Sequence, residues 1–277
     1  MSGDAARKPI KDAATVILLR EGEAGLETFM LCRHQRSGFM GGAHVFPGGK
    51  VDQSDGDERW QHRVDRPIDE LAERLGEADA ALGLGLLVAA VRETFEEAGV
   101  LMASTAAGAD LAAARDALLR GESFFGLAND LDVKIGALAL TPYARWITPK
   151  MESSRFDTRF FIAVLPEGQH ATHDGSETTS ADWLRPERAI EQMSAGRIKL
   201  APPTVRTLQW LAGFEEAEAV IADALSRKPP LVRPQLVTGD QGWFLALPGD
   251  PEHSEDEAVL PGATRMIFDE KGWRDAP

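Results

Sequence analysis

Residues Arg92–Val100 read RETFEEAGV and close a segment with a strong helical pattern. Apolar residues recur through this segment at spacings of four and three, namely at Leu84, Val88, Val91, Phe95 and Ala98. This periodicity puts one apolar stripe on a helix, and Gly99 is typical of the residue that ends one. The sequence therefore predicts a helix over residues 84–98.

The same helix carries three glutamates, Glu93, Glu96 and Glu97, at positions i, i+3 and i+4. They fall within an arc of about 100°, away from the apolar stripe. Carboxylates this close repel one another at neutral pH, which destabilises a helix. A hard cation such as Mg²⁺ or Mn²⁺ would join them, because it prefers oxygen ligands. The alternative interpretation is a solvated acidic helix face.

An acid-free segment precedes this helix. Residues 28–51 contain no Asp or Glu, although the average of the chain would give about four. The segment includes residues 44–51 (HVFPGGKV), which predict a short strand broken by a Pro-Gly-Gly turn. Residues 133–151 are also free of acids. Both segments are candidates to face an anion, with chance and a buried strand as the alternative.

The two motifs resemble the signature of the Nudix hydrolases, G-x5-E-x7-R-E-U-x-E-E-x-G-U, where U is a bulky aliphatic residue. RETFEEAGV matches the second half, except that Thr94 occupies the first U position, and Gly49 fits the leading glycine. At the position of the first glutamate stands Asp55, and 36 residues rather than seven lie between it and Arg92. The motif is therefore split by an insertion.

The acyl-coenzyme A diphosphatase branch of this family is similar in that respect, since it also interrupts the motif after a Phe-Pro-Gly-Gly-x-Val-Asp stretch. Here that stretch is residues 46–52, and further similarity lies at 146–149 (WITP) and 155–161 (RFDTRFF). The resemblance covers roughly residues 13–196. It departs at residues 31–34 (LCRH), which replace the usual upstream part of the coenzyme A motif.

The resemblance implies hydrolysis of coenzyme A or acyl-coenzyme A to 3′,5′-ADP and (acyl-)4′-phosphopantetheine. It implies Mg²⁺ or Mn²⁺ held by Glu93, Glu96 and Glu97, with Arg92 orienting one of these glutamates. The general base would be a glutamate of the motif, Glu93 or Glu96, or the later Glu177. The alternatives are a diphosphatase for another nucleotide, such as ADP-ribose or NADH, and a nucleotide-sensing domain without catalysis.

Cationic side chains and glycines are the candidates for substrate contacts. Arginine suits bidentate contacts with phosphate, and coenzyme A carries a 3′-phosphate. The candidate residues are Arg33, Arg36, Gly48, Gly49, Lys50 and Arg155. Two further residues have open interpretations: Asp157 is a site residue or the partner of Arg155 or Arg159, and Trp146 stacks on adenine or lies in the core.

Composition limits the class of protein. The chain has 277 residues, of which 43% are hydrophobic and 27% charged, as in ordinary globular proteins. Its net charge of −14 argues against duplex nucleic acid as a partner. Cys32 is the only cysteine, which favours a reducing compartment. No apolar run approaches the roughly 20 residues that span a membrane. We expect a soluble, cytoplasmic protein with a nucleotide substrate, and a possible homodimer.

Strands and helices alternate along the chain, which favours an α/β or α+β fold. The resemblance implies a Nudix-type α/β/α sandwich with a mixed sheet. We expect a tail at 1–12, a hydrolase domain at 13–228 with a surface insertion at about 53–83, and a C-terminal extension at 229–277. Helices are predicted at 68–75, 84–98, 106–121, 186–195 and within 203–227, and strands at 14–19, 27–32, 137–147, 156–165, 178–183, 243–247 and 265–268.

Overall fold

The computed structural model describes residues 9–35, 41–152, 154–175, 177–239 and 242–276. Among these residues, nine strands form a mixed sheet and four form an antiparallel sheet. Helices cover both faces of the mixed sheet, so the predicted α/β/α class is confirmed. Within the described ranges, no helix has the length and hydrophobicity of a membrane-spanning segment.

The strands of the mixed sheet are β1 (Lys11–Gly22), β2 (Gly25–Arg33), β3 (Ala43–Val45), β4 (Gly48–Lys50), β5 (Thr141–Ile147), β6 (Phe156–Val164), β7 (Thr178–Leu184), β8 (Lys199–Leu200) and β9 (Leu231–Val232). The second sheet contains β10 (Gln235–Gly239), β11 (Gly242–Ala246), β12 (Arg265–Asp269) and β13 (Gly272–Asp275). The helices are α1 (Ile68–Leu75), α2 (Ala80–Ala98), α3 (Leu111–Leu119), α4 (Phe124–Asp130), α5 (Pro186–Ser194), α6 (Pro202–Leu211) and α7 (Ala217–Ser226).

Strand β1 is the centre of the fold because both of its faces are apolar. Its side chains alternate, so that Val16 and Leu18 meet one core cluster while Ile17 and Leu19 meet the other. The first cluster includes α2, and the second includes α5, α6 and α7. Strand β1 pairs in parallel with β6 and antiparallel with β4. The start of β1 therefore lies beside the Pro-Gly-Gly turn.

Most predicted elements are present, with shifts that side-chain caps explain. Helix α1 covers the predicted residues, and α2 begins earlier than predicted because the Asp79 carboxylate accepts hydrogen bonds from the N–H groups of Ala81 and Leu82. The helix predicted at 106–121 is wrong in extent. Gly108 has φ +80°, and the Asp110 side chain caps a helix that starts only at Leu111. The strand predicted at 137–147 begins at Thr141, after one 3₁₀ turn.

Most residues of the insertion are exposed or half-buried, and a few buried side chains anchor it to the core. Trp60, in a 3₁₀ turn at Glu58–Arg63, is 1% exposed and lies 5.2 Å and 5.1 Å, between ring centroids, from Phe124 and Phe125 of α4. Gly83 of α2 approaches Ala72 of α1 so closely that a Cβ at this position would touch the backbone of α1. Burial of these apolar side chains holds the insertion against α2 and α4.

Asp157 belongs to a buried ion-pair network. Its carboxylate accepts hydrogen bonds from Arg145 at 2.8 and 2.6 Å and lies 3.2 Å from Arg159 Nη1. Arg159 also donates to Glu77, which precedes α2. Of the two partners left open by the sequence, the structure therefore selects Arg159 and adds Arg145, while Arg155 donates to a backbone carbonyl instead. The network joins the insertion to β5 and β6.

Candidate metal and pyrophosphate site

The last two turns of α2 carry the carboxylates that the sequence singled out. The apolar stripe of α2 is buried against the sheet, which leaves Glu93 and Glu96 half-buried at the edge of the core. The helix ends at Gly99, whose φ of +69° is readily adopted by glycine and whose N–H donates to the Phe95 carbonyl. This termination places the three glutamates beside β4.

Glu97 is fixed by the Pro-Gly-Gly turn. Its Oε2 accepts a hydrogen bond from the Gly48 N–H at 2.9 Å, and the residue is only 8% exposed. Burial raises the pKa of Glu97 to about 8, although the Gly48 N–H acts in the opposite direction. The negative charge of Glu93 raises it further.

Glu93 and Gly49 lie in direct contact. A Cβ atom at position 49 would overlap the Glu93 carboxylate, so this position accommodates only glycine while Glu93 keeps its place. Burial raises the pKa of Glu93 above its usual value. Burial also raises the pKa of Glu96 to about 7, with a further contribution from the charge of Glu93. The three carboxylates thus form a partly desolvated group with mutual repulsion.

Arg92 is the cation at the centre of this group. Its Nε and Nη2 donate to the two carboxylate oxygens of Asp55 at 2.9 and 2.8 Å, and its Nη1 donates to Glu93 at 2.9 Å. The distance from Nη1 to Glu96 is 3.4 Å. Burial alone would lower the pKa of Arg92, but these carboxylates raise it above its usual value. Asp55 thus occupies the position of the first glutamate of the motif and binds its arginine.

The three glutamates offer only oxygen donors, which is the ligand chemistry of Mg²⁺ and Mn²⁺. Residues three and four apart on a helix are neighbours, so rotation of their side chains can bring the carboxylates together. In this conformation Glu93 and Glu96 turn towards Arg92. No group of three or more His, Cys, Asp or Glu side chains within the described ranges is arranged to hold a metal ion. The fit therefore lies in the donor chemistry and in the excess of carboxylates over the single cation Arg92.

Arg33, at the end of β2, and Glu177, just before β7, lie near Glu97 at one end of the sheet. Arg33 is opposite Thr178 in the β2–β7 pair, and the His34 N–H donates to the Glu177 carbonyl at 2.9 Å. The charge of Arg33 lowers the pKa of Glu97, and that of Glu177 raises it. Within the part of the chain that the structure describes, the buried Arg33 Nε has no hydrogen-bond partner. The structure thus brings these two candidates to the carboxylate group.

The other substrate candidates lie at the same end of the sheet or outside the described residues. Lys50 is exposed and contributes its carbonyl oxygen to Arg92 Nη2 at 3.0 Å. Arg155 directs its Nε to the Thr148 carbonyl at 3.2 Å. Trp146 is 4% exposed within the core, so the core interpretation holds. Arg36 lies outside the described residues.

Comparison with protein families identifies the family to which the chain belongs. A family model described as the NUDT19 Nudix domain matches residues 71–211, just over half of the chain. The chain belongs to this Nudix family. Members of the Nudix family are hydrolases, so the protein is an enzyme that acts on pyrophosphate bonds.

Named relatives and a solved structure agree with the Nudix assignment. The Xenopus laevis protein named acyl-coenzyme A diphosphatase NUDT19 is 28% identical over 273 residues, covering 83% of this chain and 72% of the relative. The human protein of that name is 29% identical over 283 residues, covering 85% and 74%. The crystal structure of a NUDIX hydrolase from Alicyclobacillus acidocaldarius superposes with a TM-score of 0.63 at 28% identity, covering 78% of this chain and 97% of that one.

Sequence reasoning missed residues that hold the Nudix site together. Arg115, Gln169 and Thr172 bond the end of α2 to the segment that leads to Glu177. Arg115 lies in an alanine-rich helix, and the other two lie in an irregular segment. Their partners lie far away in sequence and are mostly backbone groups, so no local motif marks them.

Proposed function

We propose that this Nudix protein is a divalent-metal-dependent diphosphatase of coenzyme A or acyl-coenzyme A. It would hydrolyse the pyrophosphate to 3′,5′-ADP and (acyl-)4′-phosphopantetheine. The observation that carries the proposal is the set of Glu93, Glu96 and Glu97 beneath the Gly48–Gly49 turn, in a chain whose named relatives are acyl-coenzyme A diphosphatases.

Mg²⁺ or Mn²⁺ would be held by Glu93, Glu96 and Glu97, and it would neutralise pyrophosphate charge and supply an activated water. Arg92 positions Glu93 and Glu96 through its Nη1, while Asp55 fixes the guanidinium of Arg92. The Gly48 N–H orients Glu97. These contacts hold Arg92 and Glu97 before substrate binds, so the reorganisation needed is limited to rotation of the Glu93 and Glu96 side chains.

Proton transfer from the attacking water needs a base near the carboxylate group. Glu177 is exposed, lies near Glu97 and stands outside the α2 cluster, so it is free to take this role while the α2 glutamates bind metal. Water attack at one phosphorus breaks the P–O bond to the other phosphate, which leaves. Positioning and charge stabilisation account for most of such catalysis.

Cationic groups would bind the substrate phosphates. Arg33 is the strongest candidate because its buried Nε has no hydrogen-bond partner among the described residues and its charge acts on Glu97. Lys50 is an exposed residue of β4 at the same end of the sheet. Arg155 and Arg36 remain candidates for the 3′-phosphate of coenzyme A.

Product analysis tests the proposal. The purified protein is incubated with Mg²⁺ or Mn²⁺ and, separately, with coenzyme A, an acyl-coenzyme A, dephospho-coenzyme A, ADP-ribose and NADH, with a chelator control for each. We expect metal-dependent release of 3′,5′-ADP from the two coenzyme A compounds. Cleavage of ADP-ribose or NADH alone would refute the coenzyme A assignment. No cleavage of any compound by folded protein would favour a nucleotide sensor.

A further inference from the structure

Arg115 of α3 caps the end of the helix that carries the candidate metal ligands. Its Nε donates to the carbonyl oxygen of Glu96 at 2.9 Å, and its Nη2 donates to that of Glu97 at 2.9 Å. Carbonyl groups in the last turn of a helix have no partner within the helix. A guanidinium at this end also interacts favourably with the helix dipole. Arg115 therefore fixes the backbone from which Glu96 and Glu97 project.

The same guanidinium binds the segment that leads to Glu177. Its Nη1 donates to Thr172 Oγ1 at 2.9 Å, and its Nη2 donates to the Thr172 carbonyl at 3.0 Å. The Thr172 N–H in turn donates to the Ala98 carbonyl at 2.9 Å. Thr172 is thereby bonded through its side chain and backbone to Arg115 and the end of α2.

Asp174, two residues after Thr172, binds the backbone at Glu177 and at the start of β7. The Asp174 carboxylate accepts hydrogen bonds from the backbone N–H groups of Glu177 at 2.8 Å and Thr178 at 3.0 Å. Upstream, Gln169 exchanges two hydrogen bonds with the backbone of Leu101, at 2.8 and 2.9 Å. Because Glu177 follows Thr172 by only five residues, a displacement of Thr172 is expected to displace Glu177 as well.

The packing around Arg115 favours an arginine and a neighbouring glycine. Arg115 is half-buried, and a Cβ on Gly99 would lie 2.7 Å from its Nη1. The planar guanidinium of Arg115 donates to four acceptor atoms on three residues. A lysine ammonium is a single point of donors and cannot reach all four.

We propose that Arg115 is a positioning residue, which fixes the Glu96–Glu97 turn of α2 and the Glu177 segment relative to each other. This role rests on the proposed function, because it assumes that Glu177 acts together with the α2 carboxylates. Arg115 itself does not contact the substrate in this proposal. Its contribution is to hold the candidate base at a fixed distance from the metal ligands.

The test compares Arg115→Ala and Arg115→Lys with the control Arg120→Ala, which removes an exposed arginine from the end of the same helix. For Arg115→Ala we expect kcat for coenzyme A to fall about 10- to 100-fold, with KM changed less than about threefold. Arg115→Lys should recover part of the loss. In a Glu177→Gln background, Arg115→Ala should lower kcat by a clearly smaller factor, because the group it positions is already absent.

Hydrogen exchange gives a readout that does not depend on turnover. The amides of Thr172 and Leu101 should exchange faster in Arg115→Ala than in wild type, while those in the middle of α2 stay protected. If Arg115→Ala does not fold, Thr172→Val removes one of the four acceptors and should change kcat and exchange in the same direction.

Either of two results overturns the proposal. The first is an equal fold-decrease in kcat for Arg115→Ala in the wild-type and Glu177→Gln backgrounds. The second is amide hydrogen exchange at Thr172 that does not differ from wild type. Absence of turnover in the wild-type protein refutes the proposed function instead, and exchange at Thr172 then still decides whether Arg115 holds the segment.

Discussion

Asp55 and Arg92 form a two-pronged ion pair across 37 positions of sequence, with N–O distances of 2.9 and 2.8 Å. Asp55 is 1% exposed, and its Oδ2 also accepts the Asp52 N–H at 2.8 Å. The insertion of the split motif therefore does not separate its two halves in space. A shorter aspartate at the glutamate position reaches the arginine because the 3₁₀ turn at Gln53–Gly56 packs directly on α2.

Replacement of Asp55 should destabilise the fold. Asp55→Ala leaves the buried guanidinium of Arg92 without its bidentate partner, so we expect the free energy of unfolding to fall by about 3–5 kcal/mol. A urea titration monitored by circular dichroism measures this free energy. Glu70→Ala, which breaks an exposed pair with Arg66, is the control and should cost less than about 1 kcal/mol. Equal stability of Asp55→Ala and wild type would show that the pair is dispensable.

The adjacent glycines of the turn should respond differently to the same substitution. In Gly49→Ala the new methyl group meets the Glu93 carboxylate, which can rotate away, so activity should fall by about tenfold or more with a small loss of stability. In Gly48→Ala the new methyl group meets the backbone of β1, which cannot move away. The free energy of unfolding should therefore fall by about 1–3 kcal/mol.

The measurements are kcat and the urea midpoint of each variant. Gly56→Ala serves as the control, because a Cβ there would lie 3.7 Å from its nearest neighbour. Full activity of Gly49→Ala would contradict the assignment of Glu93 to the metal site.

Removal of the charge on Arg33 should weaken substrate binding. A charge-assisted hydrogen bond contributes about 1.5–3 kcal/mol, so Arg33→Gln should raise KM for coenzyme A about 10-fold or more. If Arg33 binds the 3′-phosphate, KM for dephospho-coenzyme A should rise much less. Arg188→Gln, on the exposed side of α5, is the control and should leave both KM values unchanged. Equal increases for both substrates would assign Arg33 to the pyrophosphate instead.

The C-terminal sheet should lose stability in acid through Asp250. Hydrogen bonds from Arg265, at 2.8 Å to each carboxylate oxygen, hold the pKa of Asp250 below its usual value. A lowered folded-state pKa gives stability that is full above the unfolded pKa, near 4, and is lost as pH falls through the folded pKa.

The stability deficit of Asp250→Asn should therefore be largest at pH 6–7 and shrink below about pH 4. Urea unfolding from pH 7 to pH 3 measures it, with Glu257→Gln on an exposed position as the control. A deficit that does not change with pH would exclude the charge of Asp250 as its source.

Local patterns in the sequence were sufficient for α1, for the end of α2 and for the carboxylate group. The spacing of apolar residues predicted α2, and Gly99 marked its end. The helix predicted at 106–121 was too long. Its alanine content favours helix, but Gly108 has a positive φ and Asp110 caps a helix that begins only at Leu111.

Contacts between distant segments could not be predicted from local patterns in the sequence. Whether Asp55 replaces the missing glutamate depended on the path of the insertion, which is fixed by the burial of Trp60 against Phe124 and Phe125. Arg115 acts on backbone carbonyls, which leave no trace in residue identity. The pairing of Asp157 with Arg145 likewise required the register of β5 on β6.

The central claim is that hydrolysis takes place at the α2 carboxylates, and one measurement tests it most directly. Release of 3′,5′-ADP from coenzyme A is followed at saturating Mg²⁺ or Mn²⁺ for wild type, Glu97→Gln and the control Glu218→Gln, which lies on α7 across the sheet. The account predicts that Glu97→Gln loses about 100-fold or more of kcat while Glu218→Gln matches wild type. Full turnover by folded Glu97→Gln would contradict it.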